Sequence, residues 1–161
     1  MNMHLQVQSH HACHYHLSLP EVVMFPVSIK GVLLLPSNKV VLALNERNEW
    51  ELPGGRIELG ETPEGCLARE FQEEISIEVC VEDIIDTYLF EVIPHKHVFI
   101  ATYGCTLLGQ FAPLVSHEHE MIETFPINDL PGNLPPGYAR SIQAWCTRQG
   151  EQIQISPSGG E

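Results

Sequence analysis

One helical segment near the middle of the chain constrains the fold most, because β-rich runs both precede and follow it. Thr62 has the side chain of an N-cap, Pro63 suits the first helical position, and Glu64 places an acidic group in the first turn. The helix is predicted to continue to about Ile75. Strands on both sides of such a helix predict a mixed α/β domain.

Runs rich in apolar and β-branched residues predict the strands. Residues 27–35 and 39–44 are separated by Pro-Ser-Asn, a pattern typical of a hairpin. Residues 50–55 predict a shaped loop, because proline lacks an amide donor and paired glycines adopt conformations that other residues resist. Further strands are predicted at residues 78–81, 86–92, 97–107 and 121–125, and a closing helix at 135–146.

Chain length and net charge limit the number of domains and the kinds of partner that we expect. A chain of 161 residues suits one domain, which we place at residues 21–150, between a histidine-rich segment at 1–20 and a polar tail at 151–161. The net charge of -13, from 21 acidic and 8 basic residues, repels polyanions, so no nucleic-acid polymer is expected as a partner. A small polyphosphate is still compatible when divalent cations gather at the carboxylates.

Cysteine usage and hydropathy bear on location. The five cysteines form no CxxC pair and are odd in number, which favours reduced thiols in a cytoplasmic protein. No segment approaches the roughly 18 apolar residues of a membrane helix, and the N-terminus lacks the apolar run of a signal peptide. We therefore expect no membrane partner.

The predicted helix carries an apolar stripe and an acidic arc. Glu70, Glu73 and Glu74 lie beside the stripe, and carboxylates at this spacing repel one another unless they are solvated, paired or neutralised by a cation. Mg²⁺ suits them, because it prefers oxygen ligands and commonly lies between carboxylates and phosphates. The alternative is a solvated helix face with Arg69 paired to Glu73. The stripe consists of Leu67, Ala68, Phe71 and Ile75.

The spacing around this helix resembles a known motif. The sequence GRIELGETPEGCLAREFQEEISI, at residues 55–77, is similar to the Nudix box of MutT-like Nudix hydrolases. That motif is a glycine, five residues, Glu, seven residues, Arg-Glu-hydrophobic-any-Glu-Glu, any residue, Gly and a hydrophobic residue. Six of the seven fixed residues match. Ser76 replaces the last glycine, at a position that often needs a left-handed backbone.

The resemblance implies the fold and the reaction. The implied fold is the Nudix fold, a mixed β-sheet between α-helices. The implied reaction is Mg²⁺-dependent hydrolysis of a diphosphate linkage by attack of water on phosphorus, with Mn²⁺ as the alternative ion. The expected substrate is a small nucleoside diphosphate linked to another moiety, such as a nucleoside triphosphate, ADP-ribose or a nucleotide sugar.

The resemblance also assigns roles to residues of the box. Glu61 and Arg69 are implied to be a supporting pair for the metal site. The expected metal ligands are Glu70, Glu73, Glu74 and the backbone carbonyl of Gly54.

The base that activates water is implied to lie either in the box or on a later loop. Glu73 and Glu74 are the choices in the box. Residues 116–120 form the acidic loop, where Glu118 is weakly favoured over Glu120. A polar surface turn without a catalytic role is the alternative for this loop.

Other functions are also compatible with the sequence. A non-catalytic Nudix-like domain would bind or sense a nucleotide, although that role usually accompanies loss of the glutamates that this chain retains. A metal-buffering protein would use the histidines of residues 1–20. The family often forms homodimers, and no sequence feature here decides for or against one. Trp50 either stacks on a base or covers the core.

Overall fold

The structure of the protein, a computed structural model, describes residues 23–114 and 121–155, with side chains as far as residue 150. Within these ranges it contains six strands and two helices. The strands are β1 (Val27–Leu35), β2 (Lys39–Leu44), β3 (Trp50–Glu51), β4 (Glu78–Ile93), β5 (Lys96–Leu108) and β6 (Met121–Pro126). The helices are α1 (Pro63–Ile75) and α2 (Pro136–Ile155).

The strands form one mixed sheet. Its order is β3-β2-β1-β5-β4, and β6 pairs with β2 along all of β2. β1 and β5 are parallel, whereas the other neighbouring strands are antiparallel. The parallel pair lies at the centre of the order, so β1 is held from both sides and can position the loops that follow it.

The two helices pack on opposite faces of this sheet. Phe71 of α1 shares a buried cluster with Ile29 and Leu33 of β1. Trp145 of α2 shares a second buried cluster with Val32, also of β1. Because successive side chains of a strand point to opposite faces, β1 contributes to both clusters. The expectation of a mixed sheet between helices is confirmed.

Helix α1 has the bounds that its sequence predicts. Thr62 has extended backbone angles, and its side chain accepts a hydrogen bond from the Gly65 amide at 3.1 Å, so it is the N-cap. Pro63 occupies the first turn. The apolar stripe differs in one respect: Cys66 is fully buried, whereas Ala68 is only half-buried.

Ser76 adopts the left-handed conformation in which the motif has glycine, with φ 56° and ψ 37°. Its amide donates to the Gln72 carbonyl at 3.1 Å, and the Ile77 amide donates to the Phe71 carbonyl at 3.2 Å. These bonds satisfy carbonyls that the helix end leaves without partners. The substitution therefore changes the residue but preserves the path of the backbone.

Apart from differences of one residue at the ends of β5 and β6, the strand boundaries differ from prediction in two places. The strands predicted at 78–81 and 86–92 are one strand, β4, with register shifts between Val81 and Ile84 and between Ile84 and Asp86. A bulge admits an extra residue without ending the strand. The polar residues at these bulges interrupt the apolar alternation, and the sequence therefore predicted a break between two strands here. Residues 50–55 were predicted as a loop throughout, but Trp50–Glu51 pair with β2 as β3.

Helix α2 is longer than predicted. It runs to Ile155, beyond the end predicted at 146 and beyond the domain boundary predicted at 150. The guanidinium of Arg148 donates to the carbonyls of Ile84 and Ile85 at 2.7 and 3.0 Å. This contact with β4 anchors a part of the helix that has little apolar periodicity of its own.

Within residues 23–114 and 121–155, neither helix combines the length and the apolar character needed to cross a membrane.

Candidate active site

The loop that precedes the box runs antiparallel along β1. The amide of Gly31 donates to the Pro53 carbonyl at 2.9 Å, and the amide of Ile29 donates to the Gly55 carbonyl at 2.8 Å. Gly54 has φ +123°, and a Cβ atom there would lie 2.2 Å from the Ile29 carbonyl oxygen. Only glycine fits this close approach, so the paired glycines fix the loop against the centre of the sheet.

Helix α1 presents its acidic residues to the other side of this loop. A Cβ atom on Gly55 would lie 2.5 Å from the Glu70 carboxyl carbon, so the carboxyl packs directly against the glycine. The Gly54 amide donates to Oε2 of Glu74 at 2.8 Å. The loop and the helix thus bury Glu70 and Glu74, which a regular acidic face would leave in water.

Arg69 connects the acidic residues of the box. Its guanidinium donates to both carboxylate oxygens of Glu61, at 2.6 and 3.0 Å. A further nitrogen donates to Glu70 and to Glu73, each at 2.9 Å. One cation therefore serves three carboxylates, and the charge left over is negative.

The pKa values follow from these contacts. Hydrogen bonds from Arg69 and from the Glu58 amide lower the pKa of Glu61 to about 2, so this carboxylate stays ionised. The same carboxylates raise the pKa of Arg69. Burial raises the pKa of Glu70, against the opposing effect of Arg69. The positive charge of Arg69 is thus not sufficient to offset the effect of burial on the Glu70 carboxylate.

A cleft of about 620 Å³ opens beside these residues, and we call it the carboxylate cleft. Its walls include Arg56, Arg69, Glu70, Glu73 and Glu74. The Glu73 side chain is 61% exposed, whereas that of Glu70 is 12% exposed. Of the three glutamates that α1 contributes to the cleft, Glu73 thus has direct access to water, whereas the loop covers Glu70 and Glu74.

The donors of the carboxylate cleft suit a hard divalent cation, although they are not arranged as a closed site. In the described part of the chain, no three acidic, histidine or cysteine side chains form a ready metal cluster. Arg69 engages one oxygen each of Glu70 and Glu73, which leaves the second oxygen of each carboxylate for another contact. Oxygen donors and excess negative charge are the conditions that Mg²⁺ requires.

A second cavity, of about 220 Å³, lies on the other side of the glycine loop, and we call it the apolar pocket. Lys30, which is buried, donates from Nζ to the Gly54 carbonyl and lies 3.5 Å from Oε2 of Glu51. Burial alone would lower the pKa of Lys30, but the neighbouring acidic groups, Glu51 first among them, together raise it. The apolar wall includes Phe90, Val92, Val98, Ile100 and Tyr138.

Arg56 lines both cavities. Its backbone forms a bridge with Ser28 of β1, and its side chain is exposed. Among the described residues, no carboxylate lies within salt-bridge distance of its guanidinium. A cation therefore stands between the carboxylate cleft and the apolar pocket, without a carboxylate of the described chain to neutralise it.

Comparison with known proteins agrees with this arrangement. The model of the NUDIX domain family matches residues 24–145, which include every strand of the sheet and the glycine loop. The chain belongs to the Nudix family. Helix α1 carries most of the Nudix box, and the residues that line the carboxylate cleft all lie within the box.

Two relatives and one solved structure illustrate the range of likeness to this Nudix chain. The dihydroneopterin triphosphate diphosphatase of Escherichia coli K12 is 32% identical over 141 residues, which cover 81% of this chain and 93% of that protein. The 8-oxo-dGTP diphosphatase of Proteus vulgaris is 43% identical over 57 residues, 35% of this chain and 50% of that protein. The MutT NUDIX hydrolase of Burkholderia pseudomallei shares the fold, with a TM-score of 0.67 and 20% identity, covering 76% of this chain and 98% of that structure.

The extent of the match varies among these relatives. The chain spans about half the length of the Proteus protein and of a MutT-like protein of Streptomyces ambofaciens, which it matches over 78 residues at 37% identity. The short matches support the family, and the Escherichia coli relative supports it over most of the chain.

The structure brings most of the predicted site residues of the Nudix box together. Residues Glu61, Arg69, Glu70 and Glu73 form one network, and Glu74 lies beside it under Gly54. The carbonyl of Gly54, a predicted metal ligand, accepts from Lys30, so its contact with a metal is still a prediction.

Two further candidates have different outcomes. Glu118 and its alternative Glu120 lie outside the described residues. Trp50 is buried and contacts Phe125 edge-to-face at 4.7 Å between ring centroids, so it belongs to the core.

Lys30, Glu51 and Arg56 are the functional candidates that sequence reasoning missed. Lys30 carried a signal, because a single charged residue within an apolar strand requires a buried partner. The position of Arg56 between two cavities depends on how the loop crosses β1, and the sequence gives no local sign of that crossing.

Proposed function

We propose that this Nudix chain is a divalent-metal-dependent diphosphatase that hydrolyses a small triphosphate or another nucleoside diphosphate derivative. The observation that carries the proposal is the position of Gly54. Its amide is bound by Glu74 of the carboxylate cleft, and its carbonyl is bound by Lys30 of the apolar pocket. One substrate could therefore place its phosphates in the cleft and its organic part in the pocket.

The carboxylate cleft supplies the conditions for phosphate chemistry. Carboxylates alone repel a polyphosphate, so a cation is required to join the two. Glu70, Glu73 and Glu74 would hold Mg²⁺, with the Gly54 carbonyl as a further ligand and Mn²⁺ as the alternative ion. When bound there, the ion neutralises phosphate oxygens and acidifies the attacking water.

The residues of the chain have distinct parts in the reaction. Arg69 fixes Glu61, Glu70 and Glu73 relative to one another. Of the three glutamates that α1 contributes to the carboxylate cleft, Glu73 has the best access to solvent, which favours it as the base that takes a proton from water. The water oxygen forms a bond to phosphorus, the anhydride P–O bond breaks, and the leaving phosphate carries away the electron pair. Glu118 is the alternative base.

Arg56 is placed to hold the phosphate nearest the organic part of the substrate. Among the described residues, Arg56 is the positively charged side chain that lines both cavities. A guanidinium presents paired donors that match phosphate oxygens. We therefore assign Arg56 to substrate binding, not to the chemical step.

The names of the relatives favour a triphosphate. The Escherichia coli relative acts on dihydroneopterin triphosphate, and the Proteus relative on 8-oxo-dGTP. The apolar pocket, at about 220 Å³, is smaller than the roughly 300–1,000 Å³ of a pocket that encloses a whole drug-sized ligand. It suits one ring system, with the sugar or side chain and the phosphates outside it.

The experiment that tests the proposal measures product release from a substrate panel, with Mg²⁺, with Mn²⁺ and with chelator. The panel contains nucleoside triphosphates, 8-oxo-dGTP, dihydroneopterin triphosphate, ADP-ribose and nucleotide sugars. We expect metal-dependent release from at least one triphosphate. Glu73→Gln and Glu74→Gln are expected to remove most of that turnover, while thermal unfolding shows that both variants are folded.

The control is Glu49→Gln, which removes a carboxylate outside both cavities. Near-wild-type turnover in both box variants would contradict the assigned roles. Folded protein that binds nucleotides but releases no product from any member of the panel would favour the non-catalytic binding domain.

A further inference from the structure

The backbone groups of Gly54 depend on side chains for their hydrogen bonds. The neighbouring carbonyls of Pro53 and Gly55 accept from amides of β1, but in the described part of the chain neither the amide nor the carbonyl of Gly54 has a backbone partner. Gly54 is buried, and a buried peptide group without a partner costs free energy. Its amide donates to Glu74 and its carbonyl accepts from Lys30, so two charged side chains supply the missing partners.

Glycine fits the close approach of this loop to β1, but it also leaves the backbone free to rotate. The peptide group between Gly54 and Gly55 has no Cβ atom on either side, and glycine adopts positive and negative φ with similar ease. Local sterics therefore do not fix the direction of the Gly54 carbonyl. The ammonium of Lys30 does so, because it donates to that carbonyl from the wall of the apolar pocket.

The direction of this peptide group affects two glutamates of α1. The Gly54 amide donates to Oε2 of Glu74 at 2.8 Å, and the Glu70 carboxyl packs against Gly55. Both glutamates are buried, so they have little room to adjust when the loop moves. Rotation of the peptide between Gly54 and Gly55 would therefore displace carboxylate oxygens of the carboxylate cleft.

We propose that Lys30 is a positioning residue of the carboxylate cleft: its ammonium holds the Gly54 carbonyl, and the loop fixed in this way holds Glu70 and Glu74 in place. Lys30 lines the apolar pocket and does not line the cleft, so it acts through the loop. Replacing a residue that orients metal ligands typically changes metal affinity or activity by about 10–100-fold. This inference rests on the proposed function, because it assigns Lys30 a role toward the metal site of the hydrolase.

Two variants remove the contact with Gly54. Lys30→Met keeps a long, unbranched side chain but has no donor and no charge. Because this change deprives the Glu51 carboxylate of its lysine, Lys30→Met combined with Glu51→Gln is the second variant, and it carries the test if the first does not fold. Thr102→Val is the matched control, since it removes a fully buried hydroxyl that donates to Ser141 at 3.0 Å, outside both cavities.

The first measurement is hydrogen exchange of the Gly54 amide, followed by NMR and compared with exchange of the β2 amides. Opening of the whole fold speeds both, whereas local opening of the loop speeds Gly54 alone. In the Lys30 variants we expect the ratio of the two rates to rise about tenfold or more, the effect of losing a hydrogen bond to a charged group. In Thr102→Val the ratio should stay within about threefold of wild type.

The second measurement is the Kd for Mn²⁺ alone, determined by electron paramagnetic resonance without nucleotide. It should rise about 10–100-fold in the Lys30 variants, and kcat for the best triphosphate should fall by a similar factor. A higher KM with unchanged Mn²⁺ affinity and unchanged Gly54 exchange would overturn the proposal and make Lys30 a substrate contact. Equal effects in the Lys30 variants and in Thr102→Val would also overturn it and leave Lys30 a role in stability alone.

Neither hydrogen exchange nor Mn²⁺ binding requires turnover, so this proposal and the hydrolase proposal can fail separately. Faster Gly54 exchange and weaker Mn²⁺ binding in the Lys30 variants of a chain that hydrolyses no member of the panel would support the positioning role and reject the activity. Metal-dependent hydrolysis that the Lys30 variants leave unchanged would reject the positioning role and keep the activity.

Discussion

Replacing Gly55 with alanine is expected to lower kcat/KM about a hundredfold with little loss of stability. The new Cβ atom would lie 2.5 Å from the carboxyl carbon of Glu70, whereas ordinary van der Waals contact begins at 3.4 Å. The carboxyl must therefore move by about 0.9 Å. A displacement of about 1 Å in a catalytic group can reduce the rate by roughly 10²-fold.

The fold should tolerate this change, because the atoms that must move are the end of a flexible side chain. The assay is kcat/KM at saturating Mg²⁺ with the best triphosphate of the panel, alongside Tm from thermal unfolding. Gly132→Ala is the matched control, since a Cβ atom there would meet nothing within 4 Å. Activity within about threefold of wild type, in protein with unchanged Tm, would refute the inference that Glu70 must keep its place against the loop.

Three further predictions follow from the fold. Ser76→Gly should relieve the strain of the left-handed backbone at the end of α1 and stabilise the protein by about 1 kcal/mol. In a melting curve Tm should rise by about 2–4 °C, and a lower Tm would contradict the presence of strain at Ser76. Gly104→Ala should destabilise by about 1–3 kcal/mol in urea unfolding, because its Cβ atom would lie 2.2 Å from the Trp145 ring, and an unchanged midpoint would show that the core adapts. Burial, aided by nearby carboxylates, raises the pKa of Cys66 to about 11, so only about one thiol in a thousand is ionised at pH 8. Iodoacetamide should then label exposed Cys80 well before Cys66, as mapped by mass spectrometry. Cys66 should react faster as the pH rises toward 11. Equal labelling of the two cysteines at pH 8 would contradict the burial of Cys66.

Local sequence signals were sufficient to predict the helices and strands that begin and end at characteristic residues. Thr62 and Pro63 predicted the start of α1, and apolar runs predicted β1 and β2 with their observed bounds. β4 was divided in two, because its bulges place polar residues where strict alternation would end a strand. The true bounds of β4 depend on its pairing with β5, which is a tertiary contact.

The candidate site was predictable only as far as the motif extends. The helical period placed Glu70 and Glu74 on an acidic arc, but it did not show that the glycine loop buries them. Lys30 and Glu51 are separated by 21 positions and meet only because β1 and β3 belong to the same sheet. Contacts of this kind arise from topology, so a single sequence contains no periodic pattern that reveals them.

The bulges of β4 also bear on how copies of the chain can associate. β4 ends the strand order of the sheet, and a long strand in that position is a template for pairing with another chain. Its register shifts, at Val81–Ile84, Ile84–Asp86 and Glu91–Ile93, interrupt the regular spacing of backbone donors and acceptors that such pairing needs. A homodimer of this protein is therefore expected to join through side chains, not by extending one continuous sheet across β4, and the same irregularity should limit edge-to-edge aggregation.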